Sequence, residues 1–276
     1  WKHVDNMPEN GKIGMESTSA GNFVYTDEDL TSLGQVGTVN LTIKGNTNVA
    51  GKIEDGINTG GNVYGGGEES NVSGDTRVNI SGGTIAQNVY GGGKGVADEF
   101  ACTKAMIGIN GAGANNPDPE ATKDKGTIVK ISDGTVNGNV YGGGEVGRVE
   151  WNTQVTIGEE NGTGEPVVEG YVFGAGKGLK THGYAALVRG NPTVTILGNA
   201  KIKKSVYGGG EIASVARYKV ASTAEEAAEN GVEIGMPYAL ANNYSGNCKV
   251  IVGGNAIIGP DEPMKMVHPE ITDGTD

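Results

Sequence analysis

Two cysteines in 276 residues, Cys102 and Cys248, exclude a disulfide-stapled scaffold and a thiolate metal centre. Proline is scarce at 9, and the glycines fall in clusters rather than at every third position, so collagen is excluded. No apolar run approaches the roughly 20 residues of a membrane-spanning helix, and none resembles the apolar core of a leader. The chain opens on Trp1, which reads as a processed or excised segment and leaves secretion open. Basic residues are few, 21 against 33 acidic, and the formal net charge of -12 argues against nucleic acid and anionic membrane as partners. The densest basic cluster, Lys201, Lys203 and Lys204, reads as a solvated strand face. The three histidines, His3, His182 and His268, accompany no Gly-x-Ser-x-Gly elbow and no His-Glu-x-x-His zinc motif. No catalytic set, metal site or cofactor is expected.

What is abundant is glycine, 50 residues, and it is organised. A motif recurs at Asn62-Val63-Tyr64-Gly65-Gly66-Gly67-Glu68, at Asn88-Val89-Tyr90-Gly91-Gly92-Gly93-Lys94 and at Asn139-Val140-Tyr141-Gly142-Gly143-Gly144-Glu145. It returns at Tyr171-Val172-Phe173-Gly174-Ala175-Gly176-Lys177 and Ser205-Val206-Tyr207-Gly208-Gly209-Gly210-Glu211. Upstream lies an alternating apolar pattern, Val78-x-Ile80, Val129-x-Ile131, Val194-x-Ile196 and Val250-x-Val252, with a looser copy at Val39-x-Leu41-x-Ile43. Self-similarity of this kind predicts an all-β parallel β-solenoid, a right-handed β-helix of about five to six coils with loop insertions. A propeller or sandwich is the alternative, but the 26 residues between Tyr64 and Tyr90 are short for a four-stranded blade. The repeat domain spans 36–260, with 1–35 and 261–276 as caps or linkers. Insertions at 95–126, 178–190 and 212–246 all follow the glycine turn. The last is expected to hold a short helix near Thr223–Glu229, capped by Ser222 or Thr223.

Stacked repeats place equivalent residues in columns. Glycine is expected at the corners for its positive φ, and Asn62, Asn88 and Asn139 as a structural amide ladder. If Val63 is buried, alternation turns Tyr64 outward, so Tyr64, Tyr90, Tyr141, Phe173 and Tyr207 form a candidate exposed aromatic stripe for ligand binding. The opposing reading puts these rings in a corner of the core. Glu68, Lys94, Glu145, Lys177 and Glu211 alternate in sign; they read as a register-fixing ion ladder or as a polar strip orienting a ligand. A calcium roll lacks its Asp at the required offset. Arg148 and Glu150, two apart on a strand, are the best enzyme candidates, though an ordinary exposed pair is the plainer reading.

The Val-Tyr-Gly-Gly-Gly-Glu copies resemble repeats of large surface-exposed, adhesin-like β-helix proteins of gut Bacteroidetes and related anaerobes, over about residues 36–260. The resemblance implies a secreted or cell-surface binding module that takes a glycan or host protein, with no direct membrane insertion of this segment and with flanking domains of a larger protein. A polysaccharide lyase or glycoside hydrolase and a structural stalk segment are the alternatives. No catalytic motif comes with the resemblance.

Overall fold

A computed structural model of the chain describes the strands 16–17 and 23–24, then 36–97 except 56, then 102, 104–108, 126–215, 218–221, 223–234, 237–239 and 246–261. The described residues are rich in parallel strands and only 3% helical. Ten strands form the larger sheet: Val39–Lys44, Asn48–Val49, Thr76–Ile85, Gly126–Val136, Asn152–Ile157, Val167–Val168, Pro192–Ile196, Lys201–Ile202, Lys249–Val252 and Ile257–Ile258. Five two-residue strands form the second: Val63–Tyr64, Val89–Tyr90, Val140–Tyr141, Val172–Phe173 and Val206–Tyr207.

The alternating apolar pattern sets the register. Leu41, Val78, Val129, Val155, Val194 and Val250 pair in sequence, as do Ile43, Ile80, Ile131, Ile157, Ile196 and Val252. A slip of one residue would turn these side chains to solvent, so burial fixes the alignment. Both columns meet the valines of the five-stranded sheet in one core. Val155-x-Ile157 belongs to this series although its surroundings hid it in the sequence.

The right-handed β-helix expected from the repeats is corrected by the strands themselves, which build parallel sheets, with a run of seven parallel strands curled into a half-barrel. A helix of coils needs separate faces set off by corners. Here Thr76–Ile85 and Gly126–Val136 run on through the expected corner, past Gly82, Gly83 and Gly134 at φ of 144°, 87° and 96°. The pairing shifts register there, as a bulge does, and two expected faces merge into one curled sheet. A further expected face carries only single-residue bridges, Val36 to Val72 to Ile107 to Val149 to Val188 to Val215.

Side-chain ladders bind neighbouring repeats. The Asn62 carboxamide oxygen accepts the Asn88 backbone N–H at 3.1 Å, Asn88 does the same for Asn139 at 2.8 Å, and Asn139 for Tyr171 at 2.8 Å. A second ladder, unread in the sequence, runs from Asn152 to Asn191 to Asn247 at 2.8 and 2.9 Å. Thr76, Thr127 and Thr153 donate their hydroxyls to the carbonyls of Gly91, Gly142 and Gly174. These bonds satisfy backbone groups that the short strands leave over.

The motif glycines are required for a reason other than the expected positive φ, since Gly65, Gly91 and Gly142 are not among the positive-φ residues. Backbone approach decides instead. A Cβ on Gly65, Gly91 or Gly142 would stand 2.2, 2.2 or 2.1 Å from the carbonyl oxygen of the next repeat's first glycine. Of the insertions, 95–126 is described only at 95–97, 102, 104–108 and 126, while 212–246 contains the expected helix, Ala224–Glu229. The Thr223 hydroxyl accepts the Glu226 N–H as its cap. The expected terminal caps or linkers 1–35 and 261–276 lie almost wholly outside the described residues.

Candidate functional site

Parallel pairing in register puts successive motif rings one above another. Tyr64, Tyr90, Tyr141, Phe173 and Tyr207 stack with centroids 4.9, 4.8, 5.1 and 5.0 Å apart and planes within 3–11° of parallel. The spacing is that of neighbouring strands, about 4.8 Å, so the sheet dictates the stack. The rings cover one another so well that Tyr90 and Tyr141 are 0% exposed and Phe173 is 7%. The exposed stripe is thereby corrected: these three rings form a buried cluster on the face of the sheet opposite its valines. Alternation holds, but its outer side is covered too. Tyr64 is half-buried and Tyr207, at the end of the stack, is 45% exposed. Tyr171 tilts against Phe173 and Tyr207, with the Lys204 ammonium 4.8 Å above its ring centroid.

The charged column is tied to the rings. Lys94 pairs with Glu68 at 2.5 Å and Lys177 with Glu145 at 2.9 Å, so the alternating signs resolve into discrete pairs rather than a continuous ladder. The Tyr64 hydroxyl donates to Glu145 and the Tyr141 hydroxyl to Glu211, each phenol reaching the glutamate two repeats on. Asn139 donates to the Tyr141 oxygen at 2.9 Å. Burial, reinforced by the neighbouring carboxylates, pushes the Tyr64, Tyr90 and Tyr141 phenols well above their ordinary range. Burial also pushes the Glu145 carboxyl up, but the bonds from Tyr64 and Lys177 and the lysine's charge outweigh it and hold Glu145 below its usual value. A signal of this coupling was present in the sequence: glutamate and tyrosine recur in the first, third and fifth motifs together.

A groove of about 220 Å³ opens on this strip, lined by Lys94, Gly95, Glu145, Val146, Lys177, Gly178 and Leu179. It lies where the insertions 95–126 and 178–190 leave the repeats. A larger open depression of about 440 Å³, lined by Asn46, Thr47, Asn48, Gly83 and Thr84, presents no charged side chain.

Arg148 and Glu150 do meet, at 3.1 Å, but they are buried rather than exposed, and Arg189 joins them at 2.7 Å from the other carboxylate oxygen. The first contact is close enough for Coulombic attraction yet poorly aligned for a hydrogen bond. Arg148 also reaches Met106 sulfur, and Trp151 donates to the Gly108 carbonyl at 3.0 Å, so the cluster fastens the insertions 95–126 and 178–190 to the sheets. It offers a substrate no open face. His182 is half-buried beside Thr181, Cys102 is buried against Val146 and Ala185, and Cys248 is exposed. Among the described residues no group of His, Cys, Asp and Glu is placed to hold a metal ion. The basic cluster is dispersed: Lys201 pairs with Glu165 and Lys203 with Asp261.

No family model, no curated protein and no solved structure matches this chain.

Proposed function

We propose that this chain is an adhesin-like, secreted or cell-surface binding module that recognises a glycan through the groove on its charged strip. The groove between Lys94, Glu145, Lys177 and Leu179 carries this reading. Lysine ammoniums donate to sugar hydroxyls or acidic groups, the carboxylate accepts from hydroxyls, and the exposed Leu179 offers an apolar contact. The Tyr64 bond and the Lys177 pair hold Glu145 in place before a ligand arrives, which lowers the ordering cost of binding. The buried rings act as support for the strip rather than as a stacking platform.

A glycan array with the full chain tests this. Binding is expected, and the double substitution Lys94→Ala with Lys177→Ala is expected to weaken it at least about tenfold while the chain stays folded: the exposed Lys94–Glu68 pair contributes only ~0.2–1 kcal/mol, and loss of the half-buried Lys177–Glu145 pair costs about 1–3 kcal/mol. An array without binders, or a double variant that binds as the parent does, removes the proposal.

A further inference from the structure

The groove on the charged strip is built from three successive repeats: Lys94 and Gly95 follow the second glycine turn, Glu145 and Val146 the third, Lys177 and Gly178 the fourth. It therefore runs along the column, across two strand spacings of about 4.8 Å each. Pockets that enclose drug-sized ligands run to roughly 300–1,000 Å³, and this groove, at about 220 Å³, has room for one sugar unit rather than a length of polymer.

The charges around it decide what kind of unit fits. Lys177 is bonded to Glu145 at 2.9 Å within the groove, and Lys94 to Glu68 at 2.5 Å, with Glu68 outside the lining. Glu69, beside Glu68, pairs with Lys104 at 3.4 Å. Three lysines thus answer three glutamates, and Glu211, bridged to Lys177 in the column, adds a fourth carboxylate. The bond from Glu68, with the charges of Glu68, Glu145 and Glu69, outweighs burial and raises the pKa of the Lys94 ammonium, so the field at this end of the groove is negative.

A carboxylated or sulfated sugar would have to displace a glutamate from its lysine or lie beside it as a like charge, and either cost offsets the new ion pair. A hydroxyl does neither. An ammonium carries more donors, and a carboxylate more lone pairs, than one bond consumes, so a hydroxyl can accept from the first and donate to the second with both pairs intact.

Resting on the assignment of this groove to a glycan, we infer that it selects a single neutral, hydroxyl-rich sugar unit over the acidic counterpart, and that Glu68 sets this choice by holding Lys94. Glu68 lines no part of the groove and its side chain is 67% exposed, so it is a positioning residue that acts through Lys94. Without it the Lys94 ammonium would be open to an acidic group.

The test presents matched terminal sugars on one linker to the full chain: glucose against glucuronate, galactose against galacturonate, and N-acetylglucosamine against its sulfate ester. The neutral member of a bound pair is expected to bind at least about tenfold more tightly, with little change as salt is raised. Glu68→Gln, at an exposed position, is expected to keep the parent's melting curve and to shrink that preference about tenfold by gaining the acidic member. Tighter binding of the acidic members overturns the inference and leaves the glycan reading standing. A preference that Glu68→Gln leaves unchanged also overturns it. Absence of any binding, neutral or acidic, removes the glycan reading and this inference together.

Discussion

At the scale of single residues, Glu145 joins the ring stack to the charged strip. It accepts the Tyr64 hydroxyl and pairs with Lys177, and its carboxyl lies below the ordinary range because these contacts outweigh burial. A carboxyl depressed in the folded state contributes stability that is present above its unfolded pKa, about 4.3, and lost as pH falls through the folded value. The difference in unfolding free energy between the parent and Glu145→Gln is therefore expected to be largest near neutrality. It should shrink between about pH 5 and about pH 3 as the parent loses its charged carboxylate. Urea denaturation at both ends of that interval reads it, and a pH-independent difference would show that the carboxylate's charge plays no part. The alternating signs of Glu68 through Glu211 were legible in the sequence, and so was the ring column. Their coupling left only the shared occurrence of tyrosine and glutamate in the first, third and fifth motifs as a mark, because it joins residues 81 and 70 positions apart across an intervening repeat.

At the scale of elements, the apolar alternation announced the strands and their register, because burial of one face leaves no other alignment. Val155-x-Ile157 escaped notice because the segment 158–166 follows it before the next motif. The merging of two faces escaped for a different reason: whether Gly82, Gly83 and Gly134 end a strand or bulge within it depends on the neighbouring strand. The same dependence explains the motif glycines, whose requirement lies in the repeat beside them. Gly142→Ala would drive a methyl group into the Gly174 carbonyl at 2.1 Å, whereas at Gly209 there is open space. Gly142→Ala is therefore expected to cost about 1–3 kcal/mol or more, and Gly209→Ala to stay within about 0.5 kcal/mol of the parent. Equal destabilisation of the two variants in urea would return the explanation to a conformational demand shared by every motif.

At the scale of the whole molecule, each strand is held chiefly by its two neighbours, so stability is approximately a sum of local terms along the column. Gly126–Val136 lies between Thr76–Ile85 and the pair Asn152–Ile157 and Val167–Val168, with Val129, Ile131 and Val136 fully buried. Lys249–Val252 has one described neighbour, Pro192–Ile196, and every residue in it is exposed. Opening that edge strand uncovers little apolar surface, while opening the central strand uncovers both adjoining layers of the core. Native-state hydrogen exchange is accordingly expected to show protection greatest in Gly126–Val136 and falling toward Lys249–Val252 and Ile257–Ile258. Uniform protection along the column would instead mean that the sheets open as one unit, and the neighbour-by-neighbour account of their stability would fail.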